Sequence, residues 1–280
     1  MKTMHTHLLL IDPQNDFCDL PENWRPHAMP GEEPLQPALP VTGAHADLLR
    51  AAALVQRLGA KLDAITVTLD SHHRIDVAHP GFWRDLAGHT PAPFTPITAA
   101  QVRAGAFRPR DAQALERVLT YLDALEASGR YTLMVWPVHC QMGTWGHAVH
   151  AGLQVALDAW ADAQGRSVAI VTKGENPWTE HYSALQAEVP DPSDARTTLN
   201  AALLAELDRF DRVLIAGEAG SHCVRATVEH LAAHLPSRKL DKLVLLTDCI
   251  SPVTGFEAQQ AEFFEAMRAQ GVQLATSTEV

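Results

Sequence analysis

Val213-Leu214-Ile215-Ala216-Gly217-Glu218-Ala219-Gly220-Ser221-His222-Cys223-Val224 is the stretch whose reading decides the fold. Four apolar residues without polar alternation read as a strand buried on both faces. The glycines mark a turn, and Ser221 is the expected N-cap of a helix whose Val224, Val228, Leu231 and Ala232 recur at helical spacing. Cys223 then lies in the first helical turn. Free backbone N–H groups and the positive end of the helix dipole favour a thiolate there. A cysteine packed as a small apolar group is the commoner case in general. The rest of the chain favours the nucleophile.

Similar units recur on both sides. Strands are expected at His7–Ile11, Leu62–Leu69, Thr132–Val138, Ser167–Thr172, Arg212–Ala216, Lys242–Leu246 and Val272–Ala275. Helices are expected at Ala44–Leu58, Asp111–Ala127, Thr144–Ala163, Ala195–Arg209, Ser221–Ala233 and Glu257–Ala269. Strands alternating with helices of this length imply an α/β, three-layer α/β/α fold with a predominantly parallel sheet of about six strands. The segments 19–36, 83–129 and 180–195 read as insertions in a single domain spanning 1–280.

The chain has 280 residues and a formal net charge of −11, which argues against binding a phosphate backbone. No apolar run is long enough to span a bilayer, and no basic segment with an apolar signal core opens the sequence. Cys18, Cys140, Cys223 and Cys249 are scattered without CxxC pairing, as suits a reducing compartment. The expected location is the cytoplasm and the expected partner a small molecule, with neither nucleic acid nor membrane. The oligomeric state stays open, a homo-oligomer included.

The expected strands stop at chemically capable residues: Asp12, Asp70, a point near His139, Lys173, and the turn leading to Cys223. In an open α/β sheet, ligands bind outside the carboxyl ends of the strands, so these groups should share one crevice. Cys223 as nucleophile, Asp12 as general acid/base and Lys173 as their electrostatic partner form a hydrolytic triad. Backbone N–H groups of Ala219 and Cys223 would form the oxyanion hole. Asp70 and His72, at i and i+2 of an extended segment, share a face. With His139 they make a ligand set for one divalent transition metal ion: zinc, iron or manganese. His79 is an additional candidate, and His73 points away.

At these residues the chain resembles the nicotinamidases/pyrazinamidases of the isochorismatase-like cysteine hydrolase family. Asp12-Pro13-Gln14-Asn15-Asp16-Phe17 resembles the family's opening motif, and Leu39-Pro40-Val41-Thr42-Gly43-Ala44 the segment that follows it. Asp70-Ser71-His72 and Trp136-Pro137-Val138-His139-Cys140 resemble the metal-binding motifs of the nicotinamidase branch. Lys173-Gly174 and Ser221-His222-Cys223-Val224 resemble the lysine and nucleophile motifs. The resemblance implies a cis peptide at Glu218–Ala219 and a pocket walled by Phe17, Trp136 and Tyr182. It also implies an amidohydrolase that converts nicotinamide to nicotinate and ammonia through a Cys223 thioester. Two alternatives stand beside it: a hydrolase of the same fold acting on another small amide, and a non-catalytic thiol-based ligand or redox sensor. Intact Asp12 and Lys173 argue against the sensor.

Overall fold

The structure, a computed structural model, describes residues 4–280. In chain order the elements begin β1 (Thr6–Ile11), α1 (Ala44–Leu58), β2 (Ala64–Asp70), β3 (Trp83–Asp85), β4 (Thr95–Ile97) and α2 (Ala99–Arg103). They continue β5 (Phe107–Pro109), α3 (Leu115–Ser128), β6 (Leu133–Val135), α4 (Ala151–Gln164) and β7 (Ala169–Lys173). The last are α5 (Ala201–Asp208), β8 (Arg212–Gly217), α6 (Cys223–His234), β9 (Leu243–Leu246), α7 (Glu257–Ala269) and β10 (Gln273–Ala275).

Six strands form one parallel sheet in the order β10-β9-β8-β1-β2-β7, flanked by helices in a three-layer α/β/α arrangement. Every residue of β1 is buried, as its run of Leu8, Leu9, Leu10 and Ile11 requires. In register, Leu8 faces Ile65 of β2 on one side and Leu214 of β8 on the other. From β1 the chain builds outward through β2 to β7. It then returns to build through β8 to β10 on the other flank. The strand order reverses between β1 and β8, which opens a crevice at their carboxyl ends.

Several local expectations need correction. The run at 132–138 yields only the three-residue β6, which pairs antiparallel with β4 outside the central sheet. A short apolar run reports burial and leaves its pairing partner unspecified. The helix expected over 144–163 starts at Ala151, because 141–150 is tied down as a loop by bridges from Gln141 to His72 and Val149 to Gln14. The helix over 195–209 divides into a 3-10 turn, Ala195–Thr197, and α5. A similar 3-10 turn, Ala112–Ala114, precedes α3.

A second apolar cluster lies within and beside 83–129. Val77, Trp83, Ile97, Val118, Leu122 and Val135 meet there, supported by the Thr98–Gln101 capping box at the start of α2. Among the described residues, no helix is long and apolar enough to cross a membrane.

Candidate active site

Ile11 and Gly217, the last residues of β1 and β8, are register partners. Gly217 has φ of 119°, and a Cβ there would lie 2.0 Å from the Ile11 carbonyl oxygen. Only glycine permits that approach. It sets Asp12, the next residue after β1, beside the turn that carries Cys223. Asp12 has φ of 45°, a sparsely populated region for a residue with a side chain. Its N–H donates to the Thr68 carbonyl at 3.1 Å, and its Oδ1 accepts the Thr68 hydroxyl at 2.6 Å.

Lys173 ends β7 in register with Asp70, which ends β2. Its Nζ lies 2.9 Å from Asp12 Oδ2, 2.8 Å from Asp70 Oδ1 and 3.6 Å from Cys223 Sγ, and donates to the His181 carbonyl at 2.9 Å. All four side chains are buried. Burial opposes the lysine charge, but Asp12 and Asp70 hold its pKa well above the ordinary value. Burial pushes the Asp12 carboxyl up, with Lys173 pulling against it. It also pushes the Cys223 thiol well up, again opposed by Lys173, and the thiol hydrogen-bonds with Asp12. At this helix start, burial and the Lys173 charge therefore act on the thiol in opposite directions.

The start of α6 also differs from expectation. The residue preceding the helix is His222, with no side-chain cap. Ser221 instead accepts the Val253 N–H at 3.1 Å and meets His222 Nδ1 at 2.9 Å, tying the nucleophile turn to the loop after β9. The Glu218–Ala219 peptide is cis. The N–H groups of Ala219 and Cys223 have no protein acceptor among the described residues. Those two groups can receive a developing oxyanion.

Beside the triad, ligand atoms of His72, His79 and His139 lie within 4.8 Å of one another, all three residues buried. Asp70 Oδ2 is 3.1 Å from His72 Nε2 and 3.2 Å from His139 Nε2. The outer ring nitrogens are engaged. His72 Nδ1 meets Asp76 Oδ2 at 3.2 Å, His79 Nδ1 donates to the His73 carbonyl at 3.0 Å, and His139 Nδ1 donates to the Pro137 carbonyl at 2.8 Å. Such contacts fix the tautomer that leaves Nε2 as a lone-pair donor. The imidazole and carboxylate set fits a divalent transition metal ion. His139 reaches it from the loop after β6, while Asp70 and His72 come from the end of β2.

Phe17, Trp136 and Tyr182 line a small cavity over Cys223, together with Glu180, His222 and Val253. Trp136 Nε1 donates to the Tyr182 hydroxyl at 3.1 Å. The cavity holds about 30 Å³, room for one water molecule.

No family model matches the chain, and no curated protein matches it in sequence. Solved structures do. The yeast nicotinamidase bound to the inhibitor nicotinaldehyde superposes with a TM-score of 0.62 at 20% identity, covering 97% of this chain and 99% of that one. A nicotinamidase/pyrazinamidase from Acinetobacter baumannii gives 0.62 at 19%, covering 100% and 99%. The Pyrococcus horikoshii pyrazinamidase in complex with zinc gives 0.55 at 18%, covering 97% and 99%. The fold is that of the isochorismatase-like hydrolases.

Three contributors to this site escape a reading of the sequence. Asp76 orients His72, but an aspartate four residues beyond a histidine in a loop carries no signal of its own. Glu180 is buried in the cavity wall with Oε2 unpartnered, and burial pushes its carboxyl up. Glu218, behind the nucleophile turn, accepts the Ser251 N–H at 3.2 Å and hydrogen-bonds with buried Asp47. Burial, reinforced by the Asp47 charge, pushes its carboxyl well up. A glutamate after an apolar run looks like the first exposed residue; here it is fully buried.

Proposed function

We propose that this chain is an amidohydrolase that converts nicotinamide to nicotinate and ammonia through a Cys223 thioester. The observation that carries the reading is the position of Lys173 Nζ, in contact with Asp12, Asp70 and Cys223 at once. It joins a base, a nucleophile and a metal-ligand carboxylate in one buried unit. The neighbours of the same fold add support, among them a Leishmania infantum protein solved in complex with nicotinate (TM-score 0.58, 20% identity, 99% of this chain and 96% of that one).

In the first half-reaction the thiol proton passes to Asp12 as Sγ attacks the carboxamide carbon. The N–H groups of Ala219 and Cys223 hold the oxyanion. Asp12 then gives its proton to the departing nitrogen, the C–N bond breaks, and ammonia leaves. In the second half-reaction Asp12 takes a proton from water, whose oxygen attacks the thioester carbon. The C–S bond breaks, and the proton returns from Asp12 to sulfur. Lys173 keeps its charge throughout and stabilises negative charge as it moves between carboxylate and sulfur. Asp70, His72, His79 and His139 would hold the metal ion, which when bound supplies a Lewis-acid anchor for the substrate's ring nitrogen. Phe17, Trp136 and Tyr182 would wall the ring. Such an activity would serve pyridine-nucleotide salvage, and four free cysteines suit the cytoplasm.

A second reading is a hydrolase of the same fold acting on another small amide, such as a compact acyclic one. Ammonia release from nicotinamide, pyrazinamide and a panel of acyclic amides decides between the two. Turnover of nicotinamide at least tenfold more efficient than any acyclic amide supports the first. The reverse order overturns it.

A further inference from the structure

The β3–β5 ribbon and the residues beside it concentrate arginine in an acidic chain. Residues 74–110 carry Arg74, Arg84, Arg103, Arg108 and Arg110 against only Asp76 and Asp85, in a protein of net charge −11. Arg84 and Arg108 stand directly opposite each other in the antiparallel β3–β5 ribbon. Like charges so placed repel and weaken a ribbon unless an anion lies between them. No carboxylate pairs with Arg84, Arg108 or Arg110 among the described residues; Arg103, by contrast, pairs with Asp123. Arg84 Nη1 is held by the Trp83 carbonyl at 2.6 Å and the Gly81 carbonyl at 3.4 Å. Asp85 accepts the His89 N–H, and Asp111, which lines the adjoining concavity beside Arg110, accepts the Gln113 N–H.

The three arginines line a concavity of about 440 Å³. A second concavity of about 490 Å³ adjoins it, sharing Pro109 and Arg110, and is lined by Ile75, Phe82, Pro177 and Trp178. The Trp178 ring is fixed by the Arg117 guanidinium 4.2 Å over its centroid and by the edge of Phe82, 5.6 Å away. A basic niche thus opens directly onto an apolar, aromatic one. Neither shares a lining residue with the cavity over Cys223.

We propose that these paired concavities form a binding site for a phosphorylated nucleoside, with the phosphate on Arg84, Arg108 and Arg110 and the heteroaromatic base against Phe82 and Trp178. Guanidinium groups suit phosphate because their planar forks donate in pairs. A planar base suits the apolar niche because aromatic walls bind π-faces. The site rests on neither Cys223 nor the amidase reading.

Intrinsic tryptophan fluorescence and calorimetry with adenosine monophosphate, adenosine, inorganic phosphate and a hexaglutamate peptide test the assignment on the full chain. Adenosine monophosphate should bind at least about tenfold more tightly than adenosine or phosphate alone. Arg108→Glu should remove its advantage over adenosine, and Trp178→Ala its advantage over phosphate. Arg108→Glu places an opposite charge across from Arg84, so the ribbon should keep its stability, which a melting curve checks. Adenosine monophosphate binding no better than its parts, or equally well to both variants, overturns the proposal. Tighter binding of hexaglutamate would also overturn it, assigning the face to an acidic polypeptide.

Discussion

Two groups of buried carboxyls flank the turn before Cys223, one beside a buried cation and the other with two carboxyls facing each other. On the side of β1, β2 and β7, Asp12 and Asp70 face the buried ammonium of Lys173. On the side of α1, Glu218 faces Asp47, whose cation is the partly exposed Arg50. Beside the Lys173 ammonium the two aspartates differ: burial opposes the Asp70 charge, but His72 and Lys173 hold its carboxyl well below the ordinary range. Burial still pushes Asp12 up against Lys173. With another carboxyl as its neighbour, Glu218 is pushed well up and favours its neutral form. Buried acid at this turn thus has two settings, one in contact with a cation and one holding the Ser251 backbone N–H.

The contrast can be broken at several points. The largest effect should come from Cys223→Ala, which removes the covalent route and should lower kcat/KM by about 10⁴-fold or more while the circular dichroism spectrum stays unchanged. Retention of a few per cent of activity would show that Cys223 is not the nucleophile. Cys18→Ala and Cys249→Ala should be nearly silent.

Next in size are changes to the charged group. Asp12→Asn keeps the shape but loses the proton acceptor, and should cost about 10²–10⁴-fold in kcat. Lys173→Ala removes the cation that draws the thiol pKa down. The pH midpoint for alkylation of Cys223 should therefore rise, and an unchanged midpoint would contradict the pairing.

Smaller still should be the effect of His72→Ala, or of chelation. Both leave thiol and base in place but loosen substrate positioning, at a cost on the order of a hundredfold. Elemental analysis should find about one transition metal ion per wild-type chain and less in the variant. Full activity of metal-free protein on nicotinamide would separate the histidine cluster from catalysis.

The smallest effect sharpens the comparison most. Glu218→Gln mimics a neutral carboxyl, so kcat should change by less than about threefold. A carboxyl whose folded pKa is raised contributes stability below its ordinary value of 4.5 and loses that contribution as pH rises through the folded value. Wild type should therefore lose stability relative to Glu218→Gln as pH rises above the ordinary carboxyl range. Parallel pH–stability curves for the two proteins would mean that Glu218 is charged.

What the sequence discloses about this arrangement follows from locality. Continuous apolar runs marked the strands of the parallel sheet, and the residues at their ends, Asp12, Asp70 and Lys173, meet because a parallel sheet aligns its carboxyl ends. His139 reached the same place from β6, a strand outside that sheet, because a short apolar run does not name its partner. His79, Asp76 and Glu180 lie on loops, where no periodicity indicates orientation. Ser221 looked like a helix cap by type, yet its hydroxyl found the Val253 N–H across the crevice. The helix start before Cys223 is a local feature that the sequence shows, whereas the burial that pushes the thiol up depends on the whole surroundings.

The placement of β1 between β2 and β8 also bears on how the chain acquires its shape on the ribosome. Residues 6–11 can pair with 64–67 soon after synthesis, but their other neighbour, 212–217, is made much later. Through most of translation one edge of the most apolar strand stays open, a condition that invites mispairing and chaperone capture. The contact that closes that edge is also the one that brings Cys223 to Asp12. A nascent chain therefore keeps Cys223 apart from Asp12 until its sheet is nearly complete.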